Sequence, residues 1–139
     1  MDKSILISGG LGFIGSALVK NLLDDNKYII INLDKNTYAS SEETLEEYIN
    51  HKNYIYEKKD ICNRKDVDDV FHRYQPELVF HLAAESHVDN SIESPIDFIN
   101  TNILGTYNML NSSLDILKVK GYQNFLFHHI STDEVYGGL

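Results

Sequence analysis

Short apolar runs alternate along the chain with longer segments in which apolar residues recur at helical spacing. The runs at residues 4–8, 28–33 and 78–82 are largely apolar, which is typical of strands buried on both faces of a parallel sheet. Two further strands are predicted at residues 54–56 and 124–130.

Four helices are predicted between these strands. The spacing of apolar residues indicates helices at 13–23, 66–74 and 95–117, and a short acidic helix on the surface is expected at 42–50. Pro76 and Gly121 are expected to end the second and third of the long helices.

This order of elements predicts one fold class. Strands that alternate with helices are joined by right-handed crossovers, so we expect an α/β fold with a doubly wound parallel sheet of the Rossmann type that stops after about the fifth strand. The chain has 139 residues, of which 42% are hydrophobic, and it has room for one core and one domain. Ligands bind such sheets beyond the carboxyl ends of the strands.

The turn between the first strand and the first helix carries G-x-G-x-x-G at residues 10–15, and Gly9 precedes it. Glycines at this spacing permit the tight turn, let a pyrophosphate approach the backbone and let the helix pack on the strand. An ordinary glycine-rich turn is the alternative. The flanking strand and helix favour dinucleotide binding.

Asp34 ends the second strand, 19 residues after Gly15. An acidic residue near this spacing hydrogen-bonds the adenosine ribose hydroxyls, and it would repel the 2′-phosphate of NADP. NAD is therefore the expected cofactor. Lys35 is adjacent and leaves NADP as an alternative.

Charge and composition limit the classes of molecule that this chain is expected to bind. The formal net charge is −9, so nucleic acid and anionic membrane surfaces are not expected to bind, whereas a small anion at a helix start still can. Cys62 is the single cysteine, no secretory pattern or transmembrane run is present, and we expect a cytoplasmic protein. The histidines have no metal-ligand spacing, so no metal site is expected.

Thr132, Asp133 and Glu134 follow the fifth predicted strand. Two adjacent carboxylic side chains at a strand end can serve as acid and base, although a polar exit from the strand has the same composition. Ser86, His87 and Asp89 do not form a hydrolase triad, because neighbours in one loop do not generally converge.

Several motifs together resemble the nucleotide-sugar 4,6-dehydratases of the extended short-chain dehydrogenase/reductase family. They occur in order along nearly the whole chain: G-G-L-G-F-I-G-S, Asp34-Lys35, Asp60-Ile61, H-L-A-A-E-S-H-V-D, T-N-x-x-G-T and S-T-D-E-V-Y-G. Related epimerases and decarboxylases are similar but usually carry serine where this chain has Asp133.

The resemblance implies an activity and a set of residues. NAD would remove hydride from C4 of a nucleotide sugar, water would be lost across C5 and C6, and the hydride would return at C6. Glu134 would take the C5 proton, Asp133 would protonate the leaving hydroxyl, and Thr132 and Ser86 would contact the sugar. The cofactor contacts, from the glycine turn and from the resemblance, would be Gly9, Gly12, Phe13, Ile14, Gly15, Asp34, Lys35, Asn36, Thr37, Asp60, Ile61, Leu82, Ala83, Ala84 and Thr101.

The family also has a Y-x-x-x-K pair on the helix after S-T-D-E-V-Y-G, which this sequence does not reach. The spacing recurs at Tyr48 and at Tyr54, far upstream, where we interpret it as coincidence. We therefore expect residues 1–139 to be an incomplete NAD-binding domain without the sugar-nucleotide domain, inactive by itself. A non-catalytic dinucleotide-binding module is the alternative from another class.

Two further features concern specificity and assembly. Asn90 stands where the family commonly has arginine. This difference concerns either which nucleotide sugar binds or a contact between subunits.

Family members are usually homodimers joined through helices that include 95–117, and a homodimer is expected at full length. The apolar stripe on this helix would equally suit core packing; it consists of Ile99, Ile103, Leu110, Leu114 and Leu117.

Overall fold

The computed structural model of the chain describes residues 3–87, 92, 94–120 and 125–137. The regular elements in chain order are β1 Lys3–Ser8, α1 Phe13–Asp24, β2 Tyr28–Leu33, β3 Tyr54–Glu57, α2 Arg64–Tyr74, β4 Leu78–His81, α3 Pro95–Phe98, α4 Thr106–Lys120 and β5 Leu126–His129. A π segment, Ile99–Gly105, joins α3 to α4, and 3₁₀ helices occupy Glu42–Tyr48 and Asp133–Tyr136.

The five strands form one sheet in the order β3-β2-β1-β4-β5, and every neighbouring pair is parallel. The predicted α/β fold with a Rossmann-type parallel sheet is confirmed. β1 lies at the centre, and the chain winds outward from it first on one side and then on the other. A crevice is expected above β1, where the loops after β2 and β4 part.

Both faces of the sheet are buried, because successive side chains of a strand point to opposite sides. Ile5 and Ile7 of β1 face one cluster that includes Val19 of α1. Leu6, between them, faces a second cluster that includes Phe71 of α2 and helix α4. This double burial explains the consecutive apolar residues 5–7 of β1 and why β2 is apolar at every position except Asn32.

The predicted strands and the helices at 13–23 and 66–74 are confirmed with small shifts at their ends. The short acidic helix predicted at 42–50 is present as a 3₁₀ helix, Glu42–Tyr48, with a kink at Leu45 (φ −113°, ψ 16°). Leu45 is its only buried side chain, so no periodic apolar face extends a regular α-helix there. Gly121 and Asn124, which bounded two predictions, lie outside the described residues.

The helix predicted at 95–117 is present, but its apolar stripe does not pack in the core. Ile99, Ile103, Leu110 and Leu114 are between 42% and 65% exposed. The core-packing interpretation of the stripe is therefore wrong for these four residues, and Leu117 is partly buried. The face toward the core is instead built from small, polar and a few apolar residues: Thr101, Gly105, Asn108, Met109, Ser112, Ser113 and Ile116.

Polar contacts explain why small and polar side chains of this helix face the core while the apolar stripe is exposed. Asn108 donates from Nδ2 to the carbonyl oxygen of Ile61 at 2.9 Å, and Ser112 donates to Oδ1 of Asp68 at 2.7 Å. Gly105 lies so near Ile61 that a Cβ there would be 2.6 Å from its Cδ1. Close approach and satisfied polar groups thus stabilise this face. Among the described residues, none of the helices is both long and apolar enough to span a bilayer.

Candidate functional site

Contacts on all sides hold the glycine turn between β1 and α1 in place. Gly9 has φ +76°, a left-handed conformation that favours glycine, and a Cβ there would lie 2.7 Å from the backbone N of Ala83. A Cβ at Gly15 would lie 2.1 Å from the carbonyl oxygen of Gly9. A Cβ at Gly12 would meet only that same oxygen, at 3.3 Å. Glycine is therefore required at positions 9 and 15 by the close packing of the turn. At Gly12 the absence of a side chain leaves the backbone accessible to a ligand.

Helix α1 begins without a side-chain cap. Its N-cap residue, Gly12, is extended (φ −73°, ψ 174°) and carries no capping hydrogen bond from a side chain. The first N–H groups of a helix lack intrahelical acceptors and lie at the positive end of its dipole, so they attract an anion. Phe13 and Ile14, the first two residues of the helix, are 93% and 62% exposed.

Asp34 ties the glycine turn to the loop after β2. Its buried carboxylate accepts from the backbone N of Leu11 at 3.0 Å and of Asn36 at 2.8 Å. The hydroxyl of Ser40 donates to it at 3.3 Å. Asn36 itself adopts φ +58° and donates from its amide to Glu42 at 2.7 Å. Asp34 is thus both a ligand candidate and a structural anchor.

A cleft of about 550 Å³, including its open mouth, lies at the carboxyl edge of the sheet. It brings together predicted residues from five separate segments: Gly9, Gly12, Asp34, Lys35, Thr37, Asp60, Ile61, Leu82, Ala83, Ala84 and Thr101. The predicted contacts Phe13, Ile14, Gly15 and Asn36 do not line it. Sequence reasoning missed five lining residues: Leu33, Ala39, Ser40, Lys59 and Glu85. Glu85 lies within the H-L-A-A-E-S-H-V-D motif, and the other four lie within three residues of a predicted contact.

Asp60 organises the end of the cleft near β3. Its Oδ1 accepts from the backbone N of Cys62 at 2.8 Å, and its Oδ2 lies 3.6 Å from Nζ of Lys35. Burial raises the pKa of the Cys62 thiol, and Asp60 raises it further. Cys62 is therefore a protonated thiol at neutral pH and packs against the core.

A buried histidine, His81, supports the floor of the cleft. It begins the H-L-A-A-E-S-H-V-D motif but was not among the predicted site residues. Nδ1 of His81 lies 2.6 Å from Oγ of Ser8, and Nε2 lies 2.9 Å from Oγ1 of Thr106. Burial lowers the pKa of His81 to about 4, and His129, stacked on the ring at 5.2 Å, lowers it as well. His81 is therefore neutral at physiological pH, as a histidine with one donating and one accepting nitrogen requires.

The predicted catalytic residues follow β5, at the same edge of the sheet but outside the lining of the cleft. Thr132 and Asp133 are exposed, and the Thr132 hydroxyl lies 3.4 Å from Oδ1 of Asp133. Ser86 is exposed in the loop after β4. The side chain of Glu134 and all of Asp89 and Asn90 lie outside the described residues. In the described part of the chain, no three metal-ligating side chains are grouped to hold an ion.

Comparison with known proteins finds relatives among the 4,6-dehydratases. A family model described as GDP-mannose 4,6 dehydratase matches residues 6–139. The dTDP-glucose 4,6-dehydratase of Haemophilus influenzae is 48% identical over 139 residues, which cover 98% of this chain and 41% of that protein.

Solved structures with this fold include both dehydratases and epimerases. A double mutant of dTDP-glucose 4,6-dehydratase from Streptomyces venezuelae, with NAD bound, has a TM-score of 0.83 at 31% identity and is matched over 97% of this chain and 41% of its own. The UDP-Glc/GlcNAc 4-epimerase of Campylobacter jejuni has a TM-score of 0.83 at 27% identity, over 97% of this chain and 39% of its own.

The chain thus spans about two fifths of the length of these relatives. The family model nevertheless covers residues 6–139, and the Haemophilus influenzae relative is 48% identical over 98% of this chain. These matches confirm the resemblance found in the motifs, and the chain belongs to the GDP-mannose 4,6-dehydratase family.

Proposed function

We propose that residues 1–139 form the NAD-binding part of a cytoplasmic nucleotide-sugar 4,6-dehydratase. The observation that carries the proposal is the cleft, whose walls come from the segments that the motifs predict to contact NAD. The relatives support the same cofactor, because the Streptomyces venezuelae dehydratase is a complex with NAD.

The residues of the cleft suit a dinucleotide. The uncapped start of α1 and the accessible backbone at Gly12 would hold the pyrophosphate. Asp34 would accept from the adenosine ribose, and Asp60 with Ile61 would contact the adenine. Ala83 and Ala84 form a low wall on the side of β4.

The choice of NAD over NADP rests on two charges. A 2′-phosphate would face the buried carboxylate of Asp34. Lys35, the neighbouring cation, lies 3.6 Å from the carboxylate of Asp60 and so pairs with a different anion. The charge of Lys35 is therefore partly neutralised where NADP would need it.

The proposed chemistry follows from the residues after β5. Bound NAD supplies a hydride acceptor that later returns the hydride. Thr132 would hold the sugar near its C4 oxygen, Glu134 would take the C5 proton that the 4-keto group acidifies, and Asp133 would protonate the leaving C6 hydroxyl. Ser86 would contact the sugar from the loop after β4.

We also propose that the full-length protein is a homodimer joined through the helix that runs from Pro95 to Lys120. The exposed apolar stripe on this helix supports the proposal, since contiguous exposed apolar surface of this kind marks protein interfaces. Ile99, Ile103, Leu110 and Leu114 would lie in the contact.

A nucleotide-sugar 4-epimerase is the second candidate, because the Campylobacter jejuni epimerase matches the fold with an equal TM-score of 0.83. Asp133 favours the dehydratase, since the resemblance implies serine there in epimerases. The fold alone is common to both activities.

The test uses the full-length gene product that contains this chain, incubated with dTDP-glucose and with UDP-hexoses. A 4-keto-6-deoxy sugar is expected, and a 4-epimer or a pentose would contradict the proposal. Asp133→Asn should slow dehydration by roughly 100-fold or more, the usual contribution of a general acid, while oxidation at C4 persists. The 139-residue chain alone should bind NAD and form no product.

A further inference from the structure

Two loops meet above the cleft through a tyrosine and a glutamate. The hydroxyl of Tyr38, in the loop after β2, donates to Oε2 of Glu85, in the loop after β4, at 2.9 Å. The ring of Tyr38 also lies 5.6 Å from the ring of His87. Tyr38 is 63% exposed, so this contact is on the outside of the molecule.

The strand order places this contact over the glycine turn. β2 and β4 are the two neighbours of β1, so a contact between the loops that follow them crosses above the end of β1. Thr37 and Ala39, on either side of Tyr38, line one wall of the cleft, and Glu85 lines the other. The hydrogen bond therefore joins the two walls.

Each half of the contact is attached to the fold. Ser40 donates from its backbone N to the carbonyl oxygen of Thr37 at 3.0 Å, closing a turn around Tyr38, and from its hydroxyl to Asp34 at 3.3 Å. On the other side, Asn102 of the π segment accepts from the backbone N of Glu85 at 2.8 Å and donates to its carbonyl oxygen at 2.9 Å. The hydrogen bond thus links two anchored ends.

We propose that Tyr38 and Glu85 form a clasp that retains the dinucleotide in the cleft, with Asn102 as a positioning residue beneath Glu85. The inference rests on the proposed function, in that a dinucleotide occupies this cleft. A ligand between the walls leaves through the mouth only after the hydrogen bond has broken. The clasp therefore slows release of the ligand.

The test measures the rate at which NADH leaves the chain when excess NAD displaces it, followed by the nicotinamide fluorescence. Tyr38→Phe removes the hydroxyl and keeps the ring. It should raise the dissociation rate constant about threefold to tenfold, the effect of one hydrogen bond of typical net strength. Glu85→Gln should give a smaller increase, and the double variant should release NADH no faster than Tyr38→Phe.

Tyr48→Phe is the matched control. Tyr48 also donates to a carboxylate, Oδ1 of Asp24 at 2.7 Å, and also lies beside a histidine ring, His51 at 6.3 Å, but neither it nor Asp24 belongs to the segments that line the cleft. Its loss should leave NADH release unchanged. Release from Tyr38→Phe at the wild-type rate would overturn the clasp and leave the proposed function standing. Absence of any NADH or NAD binding by the wild-type chain would contradict the proposed function, and the clasp with it.

Discussion

Oγ of Ser8 lies 2.6 Å from Nδ1 of His81, in the centre of the sheet at the floor of the cleft. The two residues are register partners on the neighbouring strands β1 and β4. The same hydroxyl accepts from the backbone N of Ala83 at 3.4 Å, and Thr106 holds the other side of the imidazole at 2.9 Å. One neutral histidine thereby connects the glycine turn, the wall formed by Ala83 and helix α4.

Stability should fall with acid through His81. Its pKa is about 4 in the folded chain and 6.5 in the unfolded chain, so its contribution is fully present above pH 6.5 and is lost as pH falls toward 4. The whole window corresponds to about 3 kcal/mol. Urea unfolding at about pH 7 and about pH 5 should show a loss roughly 2 kcal/mol larger for wild type than for His81→Gln. Equal losses of stability in His81→Gln and wild type would contradict the assignment of this pH dependence to His81.

Two glycine variants should separate folding from binding. Gly15→Ala places a Cβ 2.1 Å from the Gly9 oxygen, and overpacking of this kind costs about 1–3 kcal/mol. Gly12→Ala meets only one atom, at 3.3 Å, but adds a methyl group to the wall of the cleft. The midpoint temperature of thermal unfolding should therefore fall mainly for Gly15→Ala. The affinity for NAD, measured by calorimetry, should fall mainly for Gly12→Ala. The reverse order would show that the cleft does not hold the dinucleotide against Gly12.

Asp34→Ala should weaken NAD binding by roughly 1.5–3 kcal/mol, the effect of one lost charged hydrogen bond. It should also lower stability, because the backbone N–H groups of Leu11 and Asn36 lose their acceptor. Asp34→Asn should lower stability less than Asp34→Ala, since its single amide oxygen can still accept from one of these two N–H groups, which donate to different oxygens of Asp34. Titration calorimetry with unchanged NAD affinity in both variants would remove Asp34 from the site.

Charge in the apolar stripe should prevent dimerisation. Ile103→Asp places a carboxylate in the middle of the proposed contact, where burying it without a partner costs far more than one apolar contact contributes. Sedimentation of the full-length protein should give a dimer for wild type and a monomer for Ile103→Asp. Ile49→Asp changes an equally exposed isoleucine elsewhere and should remain dimeric. A monomeric wild-type protein would disprove the interface.

Local sequence patterns predicted the structure correctly at positions where a single physical requirement selects the residue type. The run at 28–33 predicted β2 with the bounds it has, because a strand buried on both faces is largely apolar. Gly9 and Gly15 were predictable because a Cβ at either position would overlap the backbone. Asp34 was predictable from its distance to the turn.

The same local patterns failed where the partner of a side chain lies far along the chain. The stripe on α4 was compatible with the core or the surface, and only the packing of Asn108 and Ser112 against α2 and its preceding loop shows which face is inside. Tyr38 and Glu85 are 47 residues apart, and nothing in either loop indicates that they touch.

The sequence by itself determined the order of strands and helices, the glycine turn and the acidic residue at the end of β2, since these follow from backbone sterics and from periodic burial within short segments. The tertiary structure alone decided that His81 is buried and neutral, that Ser40 and Glu85 line the cleft and that the apolar side of α4 faces outward. Those properties depend on which distant segments become neighbours through the spatial order of the strands in the sheet. No local periodicity encodes that spatial order.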